Sequence, residues 1–100
     1  MTWRQVCESH QLREGEGLEV IVEGNVIAMF RSEGEVRAID GMCAHQGGPL
    51  YRGKVANGCV TCPWHGWQYL LSNGHNAATG KAMLRTYAAK DDGLSIFIDC

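Results

Sequence analysis

Apolar and polar side chains alternate along most of this 100-residue chain, with a period close to two. Such alternation predicts β-strands with one buried face, and the longer period of an amphipathic helix is scarce. The predicted strands are Trp3–Cys7, Glu19–Val22, Val26–Arg31, Val36–Asp40, Cys59–Cys62, Gln68–Leu71, Leu84–Ala89 and Leu94–Ile98. The 13 glycines recur at turn spacing, which is typical of an all-β fold with roughly eight to ten short strands.

The segments between these strands predict turns rather than linkers. Glu23-Gly24-Asn25 predicts a tight hairpin between two strands, and His10–Glu14 fits one helical turn. The chain contains no internal repeat and no low-complexity tract. We therefore expect residues 1–100 to form a single domain.

Composition narrows the class of protein. Hydrophobic residues make up 45% of the chain, enough for one modest core, and the net charge is −2. No basic patch favours nucleic acid, and no apolar run approaches the roughly 18 residues of a membrane span. The first residues, Met1–Cys7, lack the apolar stretch of a signal peptide, so we expect a cytoplasmic protein that binds neither nucleic acid nor membrane.

Two short boxes of metal-ligating residues carry the candidate chemistry. Cys43-Ala44-His45 is separated by 16 residues from Cys62-Pro63-Trp64-His65, and each box lies just beyond a predicted strand with glycine or proline around it. Two cysteines and two histidines are a common zinc set, so zinc is one alternative. Each box supplies one Cys and one His, however, and this mixed pairing suits an asymmetric two-iron cluster with both thiolates on one iron.

The residues in and after these boxes carry a family resemblance. The segments 43–48 (Cys-Ala-His-Gln-Gly-Gly) and 62–69 (Cys-Pro-Trp-His-Gly-Trp-Gln-Tyr) resemble the two cluster-binding boxes of Rieske proteins, and Ala78-Thr79-Gly80 extends the likeness. The resemblance implies a small antiparallel β-sandwich with a cluster-binding subdomain inserted at about residues 41–71. It also implies one Rieske-type 2Fe-2S cluster, which is the cofactor we expect. The implied cofactor and metal ligands are Cys43, His45, Cys62 and His65.

The same resemblance implies a function. The chain is similar to the ferredoxin component of ring-hydroxylating dioxygenases, which would take single electrons from a flavin-dependent reductase and pass them to a terminal oxygenase. It shows no nucleotide-binding glycine motif in a strand–helix context and no catalytic residues of its own, so we do not expect an enzyme. Two alternatives stay open: the small subunit of an assimilatory nitrite reductase, and a non-catalytic redox-sensing or interaction module.

Three aromatic residues of the second box are predicted to surround the cluster, namely Trp64, Trp67 and Tyr69. Trp64 and Trp67 are interpreted as hydrophobic lids, with Trp67 or Leu50 as the alternative docking surface. Tyr69 is a candidate hydrogen-bond donor to a cluster sulfur or to the Cys43 sulfur. High-potential members of the family bridge their loops with two cysteines at the places held here by Gly48 and Trp64. The resemblance therefore implies a potential in the lower half of the Rieske range, which runs from roughly −150 to +300 mV.

The remaining cysteines and histidines have no predicted role in the cluster. Cys59 is interpreted as a small buried strand residue, Cys7 as structural or incidental, and Cys100 as an exposed thiol. His10 and His75 fit no ligand box, and we expect His75 to be solvated.

Overall fold

The computed structural model describes residues 2–44, 47–64 and 66–100. Within these ranges the chain forms nine strands and two short 3-10 helices. The strands are β1 (Trp3–Glu8), β2 (Gly17–Val22), β3 (Asn25–Ser32), β4 (Glu35–Asp40), β5 (Lys54–Ala56), β6 (Cys59–Thr61), β7 (Gln68–Leu70), β8 (Thr86–Asp91) and β9 (Ser95–Asp99), and the 3-10 helices are Ser9–Gln11 and Leu50–Arg52. The predicted all-β fold is confirmed.

Two antiparallel sheets organise these strands. The larger sheet has the order β1-β9-β8-β4-β3-β2, and the smaller has the order β5-β6-β7. Both metal-ligand boxes lie between β4 and β8, which are neighbours in the larger sheet. The Asp40 N–H donates to the Arg85 carbonyl, and the Arg85 N–H donates to the Asp40 carboxylate, each at 2.9 Å. The chain therefore leaves the large sheet at Asp40 and returns to it at Arg85, at one point of the sheet.

Strand β3 is buried on both of its faces. Ile27 and Met29 belong to a core cluster enclosed by the large sheet, while Ala28 and Phe30 belong to a second cluster shared with the small sheet. A continuous apolar run, here Val26 to Phe30, is typical of a strand buried on both sides. The second cluster also contains Cys43 and Cys62, so the cysteines of the two boxes are part of the core that joins the two sheets.

Two-residue turns connect three of the hairpins. Glu23-Gly24, Glu33-Gly34 and Asn57-Gly58 each have two consecutive positive φ angles, the geometry of type I′ turns that match the twist of paired strands. The predicted hairpin at residues 23–25 is confirmed, although Asn25 belongs to β3. The Glu14 carboxylate accepts the N–H groups of Glu33 and Gly34 at 2.7 and 2.9 Å, which fixes the second turn.

Two local predictions were wrong in detail. Strand β5 was not predicted, because only three residues pair with β6 and the apolar pattern is too short to signal it. The helical turn predicted at His10–Glu14 begins earlier, at Ser9. No helix among the described residues is long and apolar enough to span a membrane.

Candidate metal centre

The two boxes fold into loops that are closed in the same way. In the first, the Cys43 N–H donates to the Gly48 carbonyl at 2.9 Å, and in the second the Cys62 N–H donates to the Trp67 carbonyl at 2.7 Å. Each bond spans five residues. The fifth residue of each loop is a glycine with positive φ, 72° at Gly47 and 74° at Gly66, a conformation that a side chain would strain. Each cysteine therefore stands at the base of a closed six-residue loop.

Both cysteine side chains of the boxes point into the core. Cys43 is 4% exposed and Cys62 is 1% exposed. Burial raises the pKa of the Cys62 thiol, and a hydrogen bond with the Cys43 side chain raises this pKa further. The Trp64 N–H donates to the Cys62 sulfur at 3.4 Å and partly lowers the pKa again. The two sulfurs therefore come from separate loops and meet at one place.

Tyr69 contacts the first of these sulfurs from strand β7. Its side chain is fully buried, and its hydroxyl lies 3.1 Å from the Cys43 sulfur. Burial, followed by the Cys43 side chain, raises the pKa of Tyr69 well above its usual value. The hydroxyl therefore keeps its proton at neutral pH, so it can donate to a Cys43 thiolate. The structure therefore contains the predicted contact between Tyr69 and the Cys43 sulfur, and donation from the hydroxyl to that sulfur stays a prediction.

The donor set fits an iron–sulfur centre as far as the structure describes it. Two adjacent thiolates in an apolar site repel each other unless a cation lies beside them, and iron coordinated to both sulfurs would replace their protons. His45 and His65 lie outside the described residues. Among residues 2–44, 47–64 and 66–100, no group of three or more His, Cys, Asp or Glu side chains gathers at one point, so the described part of the chain offers only this pair of thiols.

The aromatic and apolar residues around the loops divide into buried and exposed groups. Trp67 is half-buried and packs against the shared core, and its interpretation as a lid stays a prediction. Leu50 is completely buried, so its interpretation as a docking residue was wrong, because the 3-10 helix turns its side chain into the core. Trp64 and Met42 are 48% and 55% exposed. Met42 was missed because a single methionine after a strand gives no periodic signal.

The other three cysteines and His75 are half-buried and lie outside the two boxes. Cys59 lies half-buried on β6, and Cys7 is half-buried beside Asp91, with its pKa raised first by burial. The expectation of an exposed thiol at Cys100 was wrong: its sulfur is half-buried and accepts a hydrogen bond from the Asn25 amide at 3.4 Å. His75, expected to be solvated, is half-buried and bridges to Ala82 through its backbone.

Asn76 is a further residue that the sequence did not single out. It is buried, and its side-chain oxygen accepts the N–H groups of Ala78 and Thr79 at 2.8 and 3.1 Å. Its backbone bridges to Tyr69. Asn76 thus fixes the Ala78–Gly80 turn against the strand that carries the Tyr69 hydroxyl, and an Asx turn before glycine was the signal available for it.

Comparison with known proteins identifies the family. The family model of the Rieske 2Fe-2S domain matches residues 2–88. Cholesterol 7-desaturase nvd of Xenopus laevis is 36% identical over 72% of this chain, but the match spans only 16% of that protein's length. The naphthalene 1,2-dioxygenase ferredoxin component of Pseudomonas putida is 29% identical over 97% of this chain and 94% of its own length.

Solved structures agree in fold. The ferredoxin of carbazole 1,9a-dioxygenase from Nocardioides aromaticivorans superposes with a TM-score of 0.88 at 25% identity, covering 98% of this chain and 97% of that one. A protein assigned as an NADH-dependent nitrite reductase small subunit from Mycobacterium tuberculosis gives a TM-score of 0.89 at 23% identity, with 97% and 93% coverage. At that identity the second likeness concerns the fold alone. The family model covers most of the chain, and the two buried thiols on matched loops agree with it. The chain therefore belongs to the Rieske 2Fe-2S domain family, and its cofactor is one 2Fe-2S cluster.

Proposed function

We propose that this protein is a one-electron carrier whose cluster is bound by Cys43, His45, Cys62 and His65. The observation that carries the proposal is the meeting of two buried thiols, each at the base of a closed loop that also holds one histidine. When bound, a cluster with two neutral imidazoles accepts one electron at a higher potential than a cluster with four thiolates. The chain's own contribution is to hold the sulfurs in an apolar core and to supply hydrogen bonds to them.

The similarity to whole ferredoxin components supports a specific place for this carrier. The naphthalene dioxygenase ferredoxin is matched over nearly its full length, whereas the cholesterol desaturases are matched only in a small part. A neighbouring solved structure is a complex of an oxygenase and a ferredoxin in carbazole 1,9a-dioxygenase. We therefore expect this cytoplasmic chain to receive electrons from a flavin-dependent reductase and to pass them to a terminal oxygenase, without catalysing the oxygenation itself.

The positions of the two boxes along the chain indicate which segment binds the cluster. We propose that residues 1–100 are one domain in which the segment at about 41–71 binds the cluster. The large sheet supplies the fixed point, since the chain leaves it at Asp40 and rejoins it at Arg85. Scaffolded loops of this kind can hold ligand geometry within narrow limits.

Electron exchange needs a partner close to the cluster, and the exposed side chains beside the loops indicate where it docks. Met42 immediately precedes Cys43, and Trp64 follows Cys62 by two residues. Both present large apolar surface to solvent, and exposed apolar side chains beside a functional site are common at interaction surfaces. We propose that the redox partner packs on Met42 and Trp64.

A reductase-coupled assay tests this docking surface. Met42→Ser should raise the apparent KM for the partner and leave the midpoint potential unchanged. Leu94→Ser, an exposed control on the β8–β9 turn, should leave both the KM and the potential unchanged.

Metal analysis of air-free protein tests the cofactor part of this proposal. We expect two irons and two acid-labile sulfides per chain, and a reduced form whose paramagnetic resonance spectrum has the low average g-value of mixed nitrogen and sulfur ligation. One zinc and no sulfide would contradict it. Matched variants test the ligands: His45→Asn and His65→Asn should lose that spectrum, and His75→Asn, outside both boxes, should keep it.

Reconstitution tests the electron-transfer role and separates it from the alternatives. A flavin reductase and a terminal oxygenase should couple to substrate oxidation only when this chain is added. Stable assembly with a nitrite reductase large subunit, without transfer to an oxygenase, would favour the alternative of a nitrite reductase small subunit. A loaded protein that transfers electrons to neither would favour the redox-sensing module.

A further inference from the structure

Gly48 lies where the two ligand loops touch. A Cβ atom added at residue 48 would lie 2.9 Å from the Cys62 sulfur and 3.1 Å from both Cγ and Cδ2 of the Trp64 indole. Real Cβ atoms do not approach other atoms as closely as the first of these distances. No positive φ is recorded at Gly48, in contrast to Gly47. The requirement for glycine at this place is therefore spatial, not conformational.

The backbone around Gly48 carries a second constraint. The Gly48 carbonyl accepts the hydrogen bond that closes the first loop, from the Cys43 N–H. On the other side of the contact, Trp64 donates its own N–H to the Cys62 sulfur. Gly48 is thus tied to one proposed ligand and packed against the other, and Trp64 touches both Gly48 and Cys62.

We propose that Gly48 and Trp64 form a positioning contact that sets the separation between the Cys43 and Cys62 sulfurs. The missing side chain at residue 48 lets the first loop rest directly on the Cys62 sulfur and on the indole ring. The ring, although half-exposed, is rigid and holds this approach at one distance. The inference rests on the proposed ligands Cys43 and Cys62, and it assigns to Gly48 and Trp64 a role in placing those sulfurs that differs from partner docking.

The test begins with Gly48→Ala in the air-free, cluster-loaded protein. Overpacking a filled site typically costs at least about 1 kcal/mol, which converts to roughly a fivefold change in an equilibrium or rate. We expect the variant to release its iron to a chelator at least about fivefold faster than wild type. We also expect a shifted midpoint potential and a changed paramagnetic resonance spectrum, because the Cys62 sulfur must move. Wild-type release, potential and spectrum in this variant would overturn the inference.

Gly17→Ala, on β2 and outside the cluster-binding segment, is the matched control. A Cβ atom there would overlap the Tyr51 carbonyl oxygen and lie 2.7 Å from the Phe30 ring, a clash at least as large that does not involve Cys62 or Trp64. This control should lower the melting temperature while leaving the potential and the spectrum of the loaded protein unchanged. An equal spectral shift in Gly17→Ala would overturn the inference, since general strain would then explain both variants.

Trp64→Leu completes a double-mutant cycle. This variant keeps the N–H that donates to the Cys62 sulfur, and its flexible side chain can yield to an added methyl group. We expect the increase in iron-release rate in the double variant Gly48→Ala/Trp64→Leu to be smaller than the product of the increases in the two single variants. Such a shortfall signals coupling between residues 48 and 64. Factors that simply multiply would overturn the proposed contact. Failure of the cofactor assignment is distinguishable, because it would appear as missing iron and sulfide in the wild-type chain.

Discussion

The large sheet and the ligand-loop region, residues 41–71, differ in how their backbones are held. Strands in the large sheet are five to eight residues long, and β3 is buried on both faces. Strands of the ligand-loop region have three residues each, and its two loops are each closed by one backbone hydrogen bond from a cysteine. The large sheet is stabilised by continuous strand pairing and burial, whereas pairing in the ligand-loop region is limited to three residues per strand.

The comparison indicates where bound metal contributes to stability. Long paired strands form a core without any cofactor, and loops of this kind gain order when a metal joins their side chains. The Arg31–Asp91 ion pair, at 2.8 Å and mostly shielded from solvent, ties β3 to β8 far from the thiols along the chain. Substitutions in the two regions should therefore have separable consequences.

The largest effect is expected from removing a proposed thiolate ligand. Cys43→Ser and Cys62→Ser should each abolish the cluster and increase hydrogen exchange in both loops, because one anchor of the metal is lost. Exchange protection of the large sheet should persist. Cys59→Ser, at the start of β6 three residues before Cys62 and outside the boxes, is the control and should retain full iron. Collapse of protection throughout the large sheet would break the proposed contrast between the two regions.

The next-largest effect is expected from replacing Asp91 in the large sheet, which should lower the free energy of unfolding. The Asp91 carboxylate accepts hydrogen bonds from the Ser9 hydroxyl at 2.7 Å, the Arg31 guanidinium at 2.8 Å and the Gly93 N–H at 2.8 Å, and those bonds, Ser9 first, lower the pKa of Asp91. Asp91→Asn should reduce the free energy of unfolding at neutral pH by about 2 kcal/mol, as measured by denaturant titration, without changing the midpoint potential.

The pH dependence of that loss has a defined sign. A carboxyl whose pKa is depressed in the folded state stabilises the protein above its unfolded pKa, and this contribution disappears as the pH falls through the folded pKa. The difference between wild type and Asp91→Asn should therefore narrow below the usual aspartate pKa. A difference that stays constant into strong acid would show that the charge of Asp91 is unimportant.

Replacing Tyr87, at the junction of the two regions, should have a smaller effect on the free energy of unfolding. Its hydroxyl donates to the Asp40 carboxylate at 2.8 Å, and burial, followed by that bond, raises the pKa of Tyr87 to about 12. Tyr87→Phe should cost about 1.5 kcal/mol of unfolding free energy at neutral pH. Because the folded pKa is raised, the contribution is lost as the pH rises from the unfolded value of about 10 through 12, so wild type should lose its advantage over the variant in that range.

The smallest effect is expected from Tyr69→Phe, which should change the midpoint potential of the cluster. The Tyr69 hydroxyl lies 3.1 Å from the Cys43 sulfur, and a bond donated to a ligand sulfur strengthens when reduction adds negative charge. Loss of about 1 kcal/mol of this difference corresponds to roughly 40 mV for one electron. Tyr69→Phe should therefore lower the midpoint potential by a few tens of millivolts while the iron content stays constant.

Tyr87→Phe serves as the control for that measurement. It removes a buried tyrosine hydroxyl that donates to the Asp40 carboxylate and lies outside both boxes, so it should reduce stability and leave the potential at the wild-type value. If the two variants shift the potential equally, the Tyr69 hydroxyl has no specific effect and acts as a packing residue.

Local patterns in the amino-acid sequence determined much of this protein. Period-two alternation identified the strands of both sheets apart from β5, and two-residue turn chemistry identified the hairpin at Glu23-Gly24. The spacing of the Cys and His boxes identified the family that the comparisons confirm. These features are predictable because each depends on a few neighbouring residues and on the intrinsic geometry of strands and turns.

The tertiary structure decided which distant residues meet. Tyr69 reaches the Cys43 sulfur across 26 positions of sequence, Gly48 rests on Cys62 and Trp64, and Leu50 turns inward while Met42 turns outward. The family resemblance predicted the Tyr69–Cys43 contact, but the other outcomes have no local signal, because each depends on how the small sheet packs against the large one. Short elements such as β5 likewise form only when a partner strand supplies their hydrogen bonds and the shared core covers their one buried face.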